Sequence, residues 1–308
     1  MSRIHDALKR ATEERSSKKG TSVEPILAEV AGKVSDDARF STQLAKSALL
    51  EKVDVKNPSL AQFQELAKRC SHPNWKIDSR MSVFQGEGGK KVGAERFRTL
   101  RSRLYQLATA QPLKRVLITS SVPAEGKSFV ASNLAQSIIR QEDRRVLLID
   151  ADLRASRLHL MLGAPSSPGL AEYLRGEADV LSVLQNGAEG NLYFIPSGSA
   201  VKNPSELLAS ERMKKLLDSV TPMFDWILLD SPPTLPVHDA SVLADLCDGV
   251  LFVVRAGQTN YEIAAKGLAE FREKNPLGVV LNGVVDVAEG YGYYYDDGRL
   301  PVGGIKSD

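Results

Sequence analysis

Gly126-Lys127-Ser128 closes the stretch Ser121-Val122-Pro123-Ala124-Glu125, and each residue type has a task if the ligand is a chain of phosphates. Backbone N–H groups at the start of a helix lack an intrahelical acceptor and point at an anion. Gly126 puts no Cβ between them and the ligand. Lys127 neutralises the β- and γ-phosphates, and the Ser128 hydroxyl can ligate Mg²⁺. The stretch reads as a phosphate loop for ATP, with Ala124, Glu125, Gly126, Lys127, Ser128 and Phe129 against the nucleotide. Its first position, ordinarily glycine, is Ser121.

Acids at two further places fit the same chemistry. Asp150 and Asp152 end the run Val-Leu-Leu-Ile-Asp-Ala-Asp, and Asp230 ends Ile-Leu-Leu-Asp. A carboxylate at a strand end can hold Mg²⁺ directly or through water, and can take a proton from an attacking hydroxyl. The expected catalytic set is Lys127, Asp150, Asp152 and Asp230. The expected metal set is Ser128, Asp150 and Asp230.

These residues work only if the chain brings the strand ends together. From about residue 90 to 285, apolar runs alternate with helical patterns. Strands are expected at 115–119, 145–150, 191–195, 225–230, 249–255 and 278–284. Helices are expected at 127–140, across 156–186, and after the capping sequence Asn203-Pro204-Ser205-Glu206. Continuous apolar strands separated by helices indicate an α/β fold: a mostly parallel sheet covered by helices on both faces, with ligands at the strands' carboxyl ends.

Residues 1–89 read as a separate extension, helical or partly disordered. Ile4, Ala7, Leu8 and Ala11 form an amphipathic stripe, which is either a solvated arm or a docking arm for a partner. Asn57-Pro58-Ser59 opens a helix running to about Arg69. Gly86-Glu-Gly-Gly89 is a joint. Residues 286–308 form a flexible tail rich in Gly and Tyr.

Lys+Arg at 40 against Asp+Glu at 38 give no electrostatic case for nucleic acid. Cys70 and Cys247, the only cysteines, fit a reducing cytosol rather than a disulfide framework. No secretory leader and no apolar run long enough to span a bilayer is visible.

Four motifs in order resemble the bacterial tyrosine kinases of capsule and exopolysaccharide export. They are Ser-Ser-Val-Pro-Ala-Glu-Gly-Lys-Ser at 120–128, Leu-Leu-Ile-Asp-Ala-Asp-Leu-Arg at 147–154, Asn-Pro-Ser-Glu-Leu-Leu at 203–208 and Ile-Leu-Leu-Asp-Ser-Pro-Pro at 227–233. The resemblance covers residues 90–295 and implies a P-loop NTPase related to the MinD/ParA ATPases. It places Lys127 and Ser128 in the Walker A pair, Asp150 and Asp152 in the Walker A′ motif, and Asp230 in Walker B. The family commonly has Gly where Ala124 stands and Thr where Phe129 stands.

The resemblance gives meaning to two other features. Glu95, Arg98 and Arg101 are spaced by three, on one face of a helix. That pattern is either an intrahelical Glu–Arg ladder or, as in the family, the contact of a ring-like homo-oligomer. Tyr291, Tyr293, Tyr294 and Tyr295 are half of the chain's 8 tyrosines and match the family's autophosphorylation cluster. Arg255 and Asn282 resemble elements at the nucleotide edge, though a loop cap fits each as well.

The resemblance implies an ATP–Mg²⁺-dependent tyrosine autokinase, held at the inner membrane by a separate transmembrane activator of the polysaccharide co-polymerase type. It also implies a cognate tyrosine phosphatase. The second reading is a MinD/ParA-like ATPase acting as an assembly or positioning switch. Those proteins carry a signature lysine where this chain has Val122, and lack the tyrosine tail. The third, nucleotide binding that only switches assembly, is opposed by the intact acids.

Overall fold

The computed structural model describes residues 58–85, 91–187 and 190–284. The 4–11 stripe, the 86–89 joint and the tail tyrosines lie outside these residues. The elements run α1 (Pro58–Arg69), α2 (Lys91–Ala110), β1 (Arg115–Ser120), α3 (Lys127–Ile139), β2 (Val146–Asp150), α4 (Leu158–Leu162), α5 (Leu170–Arg175) and α6 (Val180–Val183). They continue with β3 (Gln185–Asn186), β4 (Leu192–Ile195), α7 (Pro204–Leu208), α8 (Glu211–Val220), β5 (Trp226–Asp230), α9 (Asp239–Ala244), β6 (Gly249–Arg255), α10 (Tyr261–Ala269) and β7 (Pro276–Asn282).

The strands form one sheet in the order β3-β4-β2-β5-β1-β6-β7. All neighbours are parallel except β3 with β4. Alternate side chains of each strand enter opposite cores. Leu117, Leu147, Ile149, Ile227, Leu229 and Phe252 face one side, where α8 presents Met213, Leu216, Leu217 and Val220 at helical spacing. Val116, Ile118, Leu148, Phe194, Leu228 and Leu251 face the other, under α2 and α3. Each such buried side chain contributes about 1.5–3 kcal/mol relative to exposure. Helix α3 is buried at Ser128 and from Val130 to Ile138, because it lies between the sheet and α2. That makes the helix carrying Lys127 a rigid mount.

Three expectations change. The stretch 156–186 is not continuously helical: it holds three short helices and then β3, whose two residues carry no periodic signal. Strand β7 is apolar as expected, but it is the sheet's last strand, and Val279 and Leu281 are 47% and 62% exposed. An apolar run specifies a strand, but not whether a neighbour covers it.

Residues 58–85, read above as part of the extension, pack into the same body. Phe63 and Leu66 of α1 enter one core and Trp75 enters the other, so the segment passes from one face to the other. It does so at the β3 edge, where Ser71 bridges Gln185. Trp75 meets Phe194 edge-on at 6.0 Å. The segment then binds α3: Asn133 Oδ1 accepts from Val83 N at 2.8 Å, and Ser82 Oγ donates to Gln136 Oε1 at 2.7 Å. The expected helix at 58–69 puts Phe63 and Leu66, and Cys70 just past its end, into the core at helical spacing, whereas the rest of the segment is held by isolated contacts that leave no pattern in the sequence.

Candidate active site

The sheet order brings the acids to the loop. β5 lies between β1 and β2, and Asp230 pairs in register with Asp150 on one side and Ile118 on the other. Residues 80 apart in sequence thus stand side by side below the loop that follows β1. The segment after β5 is laced to β1: Thr119 Oγ1 donates to Pro232 O at 3.0 Å, and Ser231 Oγ donates to Ile118 O at 3.1 Å.

Asp150, Asp152 and Asp230 are at most 2% exposed, yet their surroundings differ. The Asp150 carboxylate accepts from Ser156 Oγ at 2.7 Å, Asp152 N at 3.2 Å and Leu158 N at 3.3 Å. Burial pushes its pKa up, and the Ser156 bond pulls against this. Asp152 lies 3.2 Å from Lys127 Nζ, and it caps the following turn by accepting from Ala155 N at 2.9 Å. Neither oxygen of Asp230 has a hydrogen-bond partner. Burial drives the Asp230 pKa well above the ordinary carboxylate range, against the pull of Lys127 and of the nearby Ser128 hydroxyl. A buried carboxylate with no well-formed hydrogen bond, helped only by the loop serine and lysine beside it, suits a hydrated divalent cation. Among the described residues no group of three or more His, Cys, Asp or Glu forms a metal cage. A cation here would depend on the phosphates and water for its remaining ligands, as Mg²⁺ commonly does.

The loop is strained. Gly126 has φ 93°, and Ala124 has φ 66°, a left-handed conformation that a side chain disfavours by about 1–2 kcal/mol. A Cβ on Gly126 would lie 1.9 Å from Asn282 Nδ2, so the glycine is required by Asn282 as well as by a ligand. The amide of Asn282 donates to Glu125 O at 2.8 Å and is thereby turned to the loop. The Arg255 backbone N–H donates to Glu125 Oε1 at 3.3 Å.

A cavity of about 1410 Å³ opens above the loop, ample for a nucleoside triphosphate, with Phe97, Arg103, Lys127, Phe129, Arg154 and Arg255 among its walls. Phe129 packs edge-on against Phe97 of α2 at 6.0 Å. Helix α2 is therefore one wall of the cleft. Of its three spaced residues, Glu95 and Arg98 form an exposed 2.8 Å ion pair within the helix. Arg101 instead donates to Ser137 O of α3 at 2.6 Å.

Two residues carry no motif signal yet organise the site. Asp239, fully buried, receives Arg154 Nε at 2.8 Å and Ser205 Oγ, joining the second and third sequence motifs. Thr259 Oγ1 donates to Glu125 Oε1 at 2.7 Å.

A phosphate loop after a central parallel strand, with acids ending the neighbouring strands, defines a P-loop nucleotide-binding protein. The sequence family described as an AAA domain matches residues 122–274. Tyrosine-protein kinase YwqD of Bacillus subtilis is 36% identical over 209 residues, which are 67% of this chain and 87% of that protein. Tyrosine-protein kinase wzc of Salmonella typhimurium is 37% identical over 210 residues, covering 66% of this chain but only 29% of its own length. The solved kinase domain of Escherichia coli tyrosine kinase ETK matches with a TM-score of 0.60 and 35% identity, over 65% of this chain and 80% of that one. The chain belongs to the bacterial tyrosine-protein kinase family.

Proposed function

We propose that this chain is an ATP-dependent protein-tyrosine autokinase that phosphorylates its own cluster at Tyr291, Tyr293, Tyr294 and Tyr295. The observation that carries this is the convergence of Lys127 with three buried carboxylates beneath a phosphate loop. The loop N–H groups and Lys127 hold the phosphates, and Lys127 exchanges Asp152 for them. Asp150 already accepts three hydrogen bonds. Asp152 Oδ1 is held by the Arg154 and Ala155 N–H groups, so its Oδ2, released from Lys127, is the oxygen that would take the proton of the tyrosine hydroxyl as the tyrosine oxygen bonds to the γ-phosphorus and ADP leaves. Ser128 and Asp230, with Asp150 beside them, would hold Mg²⁺, which neutralises charge on the phosphates.

The family resemblance supplies the setting: control of exopolysaccharide or capsule synthesis, a transmembrane activator on another chain, a ring-like homo-oligomer and a cognate phosphatase. No helix among the described residues is long and apolar enough to cross a membrane. Attachment through that partner is what the resemblance implies. Glu95 and Arg98, ion-paired and exposed on α2, are the accessible part of the proposed subunit contact. Arg101 would contribute by fixing α2 on α3.

The test is the full chain with ATP–Mg²⁺ and the partner tail, read by phosphotyrosine mass spectrometry beside Lys127→Met. Phosphate on residues 291–295 in the wild type alone is expected. ATP hydrolysis with no phosphotyrosine would replace the kinase by the MinD/ParA-like switch.

A further inference from the structure

Glu125 sits inside the phosphate loop but is only 1% exposed, so its side chain points away from any ligand. A carboxylate facing the phosphates would repel them. Here both oxygens are turned inward and fully engaged. Oε2 accepts from Val122 N at 2.8 Å, across the loop itself. Oε1 accepts from Arg255 N at 3.3 Å, at the end of β6, and from Thr259 Oγ1 at 2.7 Å, in the turn that follows it. The Glu125 carbonyl accepts from Asn282 Nδ2 at 2.8 Å, at the end of β7. The turn is itself tied to that point, because Ala256 N donates to Asn282 O at 2.9 Å.

The placement matters because Glu125 lies between the two left-handed residues, Ala124 and Gly126. A loop with such a backbone persists only where its surroundings over-determine it. Without a ligand, the loop's N–H groups have no reason to converge on one point. Four hydrogen bonds at one residue, three of them to segments distant in sequence, supply that convergence in advance.

We infer that Glu125 is a positioning residue, a buried brace that pre-forms the phosphate loop, with Thr259 and Asn282 as its far anchors. This rests on the nucleotide site proposed above and gives that site its preorganisation. Binding ATP to a loop already shaped avoids the ordering cost that an open loop would bear. The brace also ties the loop to the last described strand, immediately before the tail that carries the tyrosines.

Glu125→Gln tests this with little change of shape. An amide keeps one acceptor oxygen and turns two donor hydrogens toward Val122 N–H, or toward Arg255 N–H and Thr259. Binding of ATP–Mg²⁺ to the full chain, measured by titration calorimetry, should weaken about tenfold or more, with KM for ATP rising further than kcat falls. Thr259→Val removes one bond and should weaken binding about three- to fivefold. Gln258→Ala, in the same turn but off the brace, should bind as wild type. A purely structural role would lower the melting temperature and leave the affinity of the folded protein unchanged.

A folded Glu125→Gln chain that binds ATP within about twofold of wild type overturns the inference. If that variant does not fold, unchanged binding by Thr259→Val overturns it. Because the readout is binding, a wild type that binds ATP but forms no phosphotyrosine removes the kinase reading alone. A wild type that binds no ATP removes both.

Discussion

Asp230→Asn should make the unliganded protein more stable while destroying its function. Asp230 is fully buried and neither carboxylate oxygen has a hydrogen-bond partner. Leaving a buried polar group unsatisfied costs about 1–3 kcal/mol, and more for a charged one. Asparagine keeps the shape, removes the charge, and relieves repulsion with Asp150 and Asp152, though it forgoes the attraction of Lys127 and the support of the Ser128 hydroxyl. A net gain of about 2 kcal/mol is expected, or a rise in melting temperature of about 4–8 °C for a body of this size. The dependence on pH has a definite sign. Burial raises the folded-state pKa above the ordinary value of 3.8. The penalty is therefore absent below that value and develops as pH rises toward neutrality, and the advantage of the variant should grow in the same direction. Scanning calorimetry of both proteins at several pH values, with and without ATP–Mg²⁺, reads all of this. The variant should melt higher without ligand and lose the ligand-induced shift. A variant that melts lower at neutral pH would refute the reasoning, because the carboxylate would then have been satisfied.

Two further predictions come from other features. Burial alone would raise the Glu172 pKa, but hydrogen bonds from Ser199 and Gly169 outweigh it and hold the carboxyl at about 2, against 4.5 ordinarily. Its stabilising contribution is complete above about 4.5 and is lost as pH falls toward about 2, so Glu172→Gln should flatten the acid side of the denaturant-unfolding profile. Equal slopes in the two proteins would show that Glu172 gives no such support. Gly126→Ala would set a Cβ 1.9 Å from Asn282 Nδ2 at a left-handed φ. It should cost about 1–2 kcal/mol of strain beyond the clash, weaken ATP binding, and recover only partly when Asn282→Ala is added. Full recovery in the double variant would mean that the backbone strain is negligible.

The three acids show how far sequence reading reaches. Their positions at strand ends, and the loop that needs them, were legible because apolar runs and a Gly-Lys-Ser triplet are local signals. Their division of labour was not. From sequence they were equivalent carboxylates; in the fold one is saturated by Ser156 and backbone, one is paired with Lys127, and one is free. Likewise Ser205 stood within a motif, but its partner Asp239 stood in none. The segment 58–85 looked like an extension because it lies in a polar stretch poor in β-branched runs, yet Trp75 and Val83 are buried.

Gly126-Lys127-Ser128 and the strand-end acids, local patterns all, were enough to establish a nucleotide site on a parallel α/β sheet. The crossover that inserts β5 between β1 and β2 put Asp230 beside Asp150. The same tertiary packing buried Glu125 against the end of β6, 130 residues away. Hydrogen bonds between distant segments leave no periodicity in a chain, so only the folded structure could decide which carboxylate is free to serve a ligand and which one holds the loop.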